Sequence, residues 1–180
     1  TGNLKTTNGP LDVAIQGKGF LQVTLPDGRT AYTRNGALHM NAEGGLVTAE
    51  GYPVEPAITI PPDATSISIS KEGVVSVSVA GQTASQQVGT LELATFQNPP
   101  GLMALGGNFF SVTTASGEAT TGAPGTEGMG TLVQGFLEES NVSIVEEMIN
   151  MILGQRAYEA NSRVVRTADD MLSQVNNLAR

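Results

Sequence analysis

SIVEEMINMILGQRAYEANSRVVRTADDMLSQVNNL, residues 143–178, decides the fold. The stretch holds no proline, and its apolar residues recur at spacings of three and four, which predicts one helix about 50 Å long. Ser143 and Glu146 have the spacing of a capping box, and Glu146 and Glu147 sit at the positive end of the helix dipole. Gly154 is the single glycine inside the helix, and Asn176 and Asn177 suggest fraying at its end. A heptad-like seam runs through Ile144, Met148, Met151, Ile152, Gln155, Tyr158, Ser162, Val165, Ala168, Leu172 and Val175, and these are the candidate partner-binding residues. Gln155 and Ser162 place polar groups in the middle of the seam, where they cost stability and set register. Ile149, Leu153, Val164, Met171 and Leu178 add apolar positions beside it.

A helix about three times the average length is too long for one small domain to cover. Leaving six such side chains in water would forgo roughly 10 kcal/mol of burial, as much as a whole domain's stability. Nothing else in the chain reads as a long helix. The expected partner is therefore another chain, or a part of the protein outside these 180 residues.

Upstream, the sequence reads as β-structure. Residues 11–16 and 20–25 alternate apolar and polar side chains around the turn Gly17-Lys18-Gly19. Asp27-Gly28 and Asn35-Gly36 are two hairpin signals, and turns at roughly eight-residue spacing predict an antiparallel meander. Residues 56–64 hold three prolines and read as a linker or an edge segment. Residues 66–70 and 74–79 alternate serine with Ile or Val across Glu72-Gly73, which predicts half-buried strands. Residues 88–96 and the apolar run 132–137 supply further strands, while 115–130, rich in Gly, Thr and Ala, reads as a flexible loop. The fold class is thus mainly β with a long C-terminal α-helix: a Gly-rich antiparallel β-domain plus a coiled-coil-forming helix. Its expected divisions are a β-rich outer domain (1–135), a connector (136–142) and the coiled-coil helix (143–180).

Composition narrows the function. Of the residues, 39% are apolar and 4% aromatic with no Trp, so the core is expected to rest on Val, Ile, Leu, Ala and Met. Net charge is −8; residues 1–142 carry 12 acids and 5 bases, residues 143–180 carry 5 acids and 4 bases. No basic cluster suits phosphate, so a nucleic-acid partner is disfavoured. Cysteine is absent, no run of about 20 apolar residues encodes a membrane span, and no signal peptide is visible. His39 is the single histidine and has no ligand-spaced carboxylates around it; Gly17-x-Gly19 lacks the rest of a dinucleotide fingerprint. Glu138-Glu139 reads as a solvated junction rather than an acid pair, and Asn141-Val142-Ser143 as helix entry rather than a glycosylation sequon. No catalytic residue, cofactor or metal is expected.

The strings DVAIQGKGF (residues 12–20), LPDGRTAYTRNGAL (25–38) and GGLVTAEGYPVEPAITIP (44–61) resemble the β-domain of bacterial flagellar axial proteins, the rod and hook family. QGFLEESNVSIVEEMINMILGQRAYEANSRVVRTADDML (134–172) resembles that family's C-terminal helix. The resemblance covers almost the whole chain. Hook members share both ends but carry a large extra outer domain, for which there is no room between Gly9 and Gly135. The resemblance implies a rod subunit that self-associates helically into a hollow shaft. Its neighbours would be other flagellar rod and hook proteins and the outer-membrane and peptidoglycan rings around the rod. It also implies a place in the basal body, type III export without a cleaved signal peptide, and an N-terminal helix, outside these residues, that pairs with the C-terminal one. A reading from another class is a secreted binding or adhesion domain whose helix is an oligomerisation stalk; no aromatic cluster in the sequence suggests its ligand site.

Overall fold

The computed structural model describes residues 2–81, 84–126, 128–142 and 144–178. The chain divides into two compact units, Thr1–Glu139 and Ser140–Arg180. Along the chain run β1 (Leu4–Thr6), β2 (Val13–Gln16), β3 (Leu21–Thr24), β4 (Thr30–Thr33), β5 (Leu38–Met40), β6 (Leu46–Thr48), β7 (Val54–Glu55), β8 (Ala64–Ile69), β9 (Val74–Val79), β10 (Gln86–Thr90), β11 (Leu93–Thr95), β12 (Met103–Gly106), β13 (Phe109–Ser111), β14 (Thr120–Gly122), β15 (Thr131–Gln134), β16 (Phe136–Glu138) and the helix α1 (Ile144–Leu178). The molecule is mainly antiparallel β with one long C-terminal helix, as the sequence predicts.

The largest sheet has the order β12-β13-β4-β3-β7. Its centre is the hairpin β3–β4, in register Leu21↔Thr33 to Thr24↔Thr30. The turn is the expected one at Asp27-Gly28: Gly28 adopts φ +79°, and its N–H donates to the Leu25 carbonyl at 2.9 Å. A second sheet, β10-β9-β8, turns at Gly73 between Ser-rich strands, with Ile69, Val75 and Val77 buried. The remaining strands form the pairs β5–β6, β2–β15, β11–β14 and β1–β16. Apart from the β1–β16 ribbon, these sheets and pairs pack around one aliphatic core, with Val13, Ile15, Leu21, Val23, Leu46, Leu91, Leu93 and Leu132 at its centre.

Several local expectations give way to long-range contacts. Asn35-Gly36 does not make a hairpin, because β4 pairs with β13 and β5 with β6. Instead the Gly36 carbonyl accepts from Val13 N–H at 3.0 Å, joining this bend to β2. Of the two readings of residues 56–64 the edge segment holds and the linker does not: Thr59 bridges Gly45, and Ile58 and Ile60 are core residues, held where Leu46 N–H donates to Ile58 and Ile60 N–H to Gly44. The strand expected over 88–96 splits at Leu91 into β10 and β11, which serve different sheets. The supposed loop 115–130 contains β14, paired with β11, and its Ser116 and Met129 are buried. Residues 136–138, read as connector, form β16 beside β1.

The few aromatic residues are concentrated. Phe96 meets Tyr32 edge-on at 4.8 Å and Phe20 at 5.7 Å, and Phe110 joins Phe20 at 5.9 Å. They make a second small core beside the aliphatic one. Burial, followed by the charge of Glu55, raises the Tyr32 phenol pKa.

Candidate interface on the C-terminal helix

α1 is continuous over Ile144–Leu178, with Glu146 and Glu147 in its first turn. Ser143, the expected cap, lies outside the described residues. Among the seam residues, Met148, Met151, Ile152, Tyr158 and Val165 are 47% to 78% exposed. Gln155 and Ala168 are exposed and Ser162 is half-buried. Ile144, Leu172 and Val175 lie in the helix, and their side chains fall outside the description. Val145, Ile149, Leu153, Val164 and Met171 are likewise exposed.

Helical geometry brings the seam residues onto one band that turns as it climbs. At about 100° per residue, Ile144, Met148, Met151, Gln155, Tyr158 and Ser162 fall within about 80° of one another. Val165 and Leu172 continue that band with the drift of roughly 20° per heptad that a seven-residue pattern has on a straight helix, while Ala168 and Val175 lie about 60° further round. In the first ten residues Val145, Ile149 and Leu153 widen the apolar arc to about 200°, so this part has more apolar face than one partner helix covers. Burying half of these side chains on a partner is worth roughly 10 kcal/mol before association costs. The arrangement suits packing against other helices.

No group of three or more metal-capable side chains occurs among the described residues, and His39 is exposed on β5. A shallow cleft of about 590 Å³ between the turns near Asp27, Glu50 and Gly106 is floored by Leu25, Tyr52 and Phe109. On its rim Arg29 pairs with Asp27 at 2.6 Å; that hydrogen bond lowers the Asp27 pKa and raises that of Arg29.

One polar constellation escaped the sequence reading. Glu138, taken for a solvated acid, has its Oε2 2.9 Å from Arg34 Nε and 2.8 Å from Arg34 Nη2, and both side chains are mostly buried. Arg34 Nη1 also donates to the carbonyls of Gly17 and Gly19, and Nη2 to that of Ile15. The Gly17-Lys18-Gly19 turn is thus a carbonyl cradle; φ values of +115° and +144° make glycine necessary at its two ends. Nothing in the sequence links positions 34 and 138, which are 104 residues apart.

A β-body followed by a long helix with uncovered apolar faces is the build of an assembly subunit. Two family models match the chain: the D1 domain of flagellar hook proteins FlgE/F/G over residues 14–77, and the C-terminal region of flagellar basal body rod FlgEFG proteins over residues 133–178. The flagellar basal-body rod protein FlgG of Caulobacter vibrioides is 52% identical over 172 residues, 96% of this chain and 66% of that protein. FlgG of Borreliella burgdorferi is 49% identical over 99% of this chain and 68% of its own length. The flagellar hook protein FlgE of Escherichia coli is 39% identical over 66% of this chain and 29% of the hook protein. The chain belongs to the flagellar FlgE/F/G rod and hook protein family. It spans about two thirds of the length of these FlgG relatives.

Proposed function

We propose that this chain is the assembly-forming part of a structural subunit of the flagellar distal rod, resident in the basal body, and that α1 is its packing element. The observation that carries the reading is the match to FlgG rod proteins at about half identity over nearly the whole chain. The exposed apolar band of α1 supports it physically, because such a band is stable only when neighbouring helices cover it. The V-E-E-M and Q-R-A-Y-E-A-N segments of the helix and the Pro56-to-Pro61 segment favour the distal rod over the proximal one.

In this reading copies stack helically into a hollow drive shaft. Helices form the inner tube and the wall of the export channel, and β-bodies form the outer layer. Long, repeated helix contacts resist twist and so carry motor torque toward the hook. The acidic β-body, with a net charge of −7 over residues 1–142, stays solvated and weakly adhesive inside the surrounding ring bushing. The role is mechanical, not catalytic.

Sedimentation velocity on the chain, with and without the N-terminal helix that the family resemblance implies, tests this. Large oligomers only with that helix present support the reading. A compact monomer in both cases refutes it.

A further inference from the structure

The β1–β16 ribbon is weakly anchored by apolar contacts. Leu4, Lys5 and Thr6 are all exposed, and Phe136, Leu137 and Glu138 are only half-buried. Polar contacts hold it instead. Gly135 N–H ties it to the body by donating to the Asp12 carbonyl at 2.8 Å; within the ribbon Thr7 N–H donates to Gly135 and Glu139 N–H to Asn3, each at 2.8 Å. Glu138 Oε1 accepts from Gly2 N–H at 2.7 Å while its Oε2 takes the Arg34 guanidinium. That guanidinium is itself fixed by three carbonyls of the body and lies 5.9 Å from the Phe20 ring centroid. A segment with few buried apolar contacts opens more readily than the core beneath it, and its closed population is then set by the contacts that pin it.

We propose that Arg34 is a positioning residue: it latches the β1–β16 ribbon to the β-body, and the ribbon is a separately opening unit whose closed state this latch sets. Its use rests on the structural-subunit reading. In the sequence β16 is the last strand before α1.

Residue-resolved amide hydrogen exchange on the chain tests the latch, with wild type compared to Arg34→Met, Arg34→Lys and Glu138→Gln. The Gly135 amide, bonded to Asp12 of the body, reports on the docking of the ribbon, and the Thr7 and Glu139 amides, bonded across the ribbon, on its own pairing; the Leu46 and Ile60 amides report on the body. In Arg34→Met the Gly135 amide is expected to exchange about tenfold faster or more while the body amides stay within about twofold, with Arg34→Lys restoring part of the protection. Glu138→Gln keeps the side-chain shape and gives the same pattern if Arg34→Met fails to fold. Unchanged ribbon exchange in both charge-removing variants, or equal acceleration of ribbon and body, overturns the proposal. The measurement needs no assembly, so it stands or falls apart from the rod reading.

Discussion

Gly36 lies against the backbone of Val13 so closely that a methyl group in place of its hydrogen would sit 1.7 Å from the Val13 carbonyl oxygen. The contact fixes where the bend after β4 meets β2, next to the Asp12↔Ala37 bridge. Backbone rather than a flexible side chain is what the methyl would strike, so no small adjustment relieves it. Gly36→Ala is expected to cost about 3 kcal/mol or more, seen as a fall in the urea midpoint. Gly28→Ala and Gly51→Ala place the same methyl in open space at positive φ and should cost only about 1 kcal/mol. Equal losses at all three sites would refute the close-approach argument.

On the helix, Met148→Asp or Val165→Asp in the full-length protein is expected to abolish assembly and leave the β-body folded. Sedimentation reads the first effect and the circular dichroism of the body the second. A normal rod carrying either change would contradict the seam. Gln155→Leu is expected to alter register and uniformity of the assembly more than its affinity, which electron microscopy of the polymers would reveal.

Phe96 is the hub of the aromatic cluster, in edge-on contact with both Phe20 and Tyr32. Phe96→Ala is expected to cost about 3 to 4 kcal/mol, because the rigid β-framework around it cannot collapse into the space. The near-ultraviolet dichroism of the chain should fall with it. A variant that keeps both signal and stability would show that the cluster is incidental.

Acid should weaken the β-body through two exposed carboxylates. Arg29, by hydrogen bond, lowers the Asp27 pKa from its ordinary 3.8, and the Ser70 hydroxyl lowers that of Glu72 from 4.5. A folded-state pKa below the unfolded value gives stability that is present above the unfolded pKa and is lost as pH falls through the folded one. The effect is therefore confined to acid below about pH 4.5. It is small, because both groups face solvent. The Asp27→Asn/Glu72→Gln pair should flatten the dependence of the urea midpoint between about pH 5 and 2, sitting slightly below wild type at pH 7 and converging with it in acid. An unaltered acid limb would count against both contacts.

What the sequence made legible was local. The helix and its band, the Asp27-Gly28 turn and the Ser-alternating strands each declare themselves within a dozen residues. The positions of Ile58 and Ile60, the pairing of β14 with β11 and the Arg34–Glu138 contact depend on partners brought from far along the chain. Asn35-Gly36 misled because its chemistry is that of a hairpin turn, while the strand waiting to pair with β4 was β13. Residues 115–130 misled because small residues signal mobility by composition, whereas here they permit tight packing around Ser116 and Met129. The helix was readable because helical periodicity is a property of the sequence itself; the angular breadth of its apolar face near Val145 and Leu153 emerges only once every apolar residue is placed on the helix.

Because β1 and β16 run antiparallel, with Leu4 opposite Glu138, the chain comes into the β-body and goes out of it at one doorway. The body is topologically a pendant on that doorway. Strands can be added to it or trimmed from it without moving the two threads apart, so evolution can resize the ornament and leave the thread of the necklace unchanged.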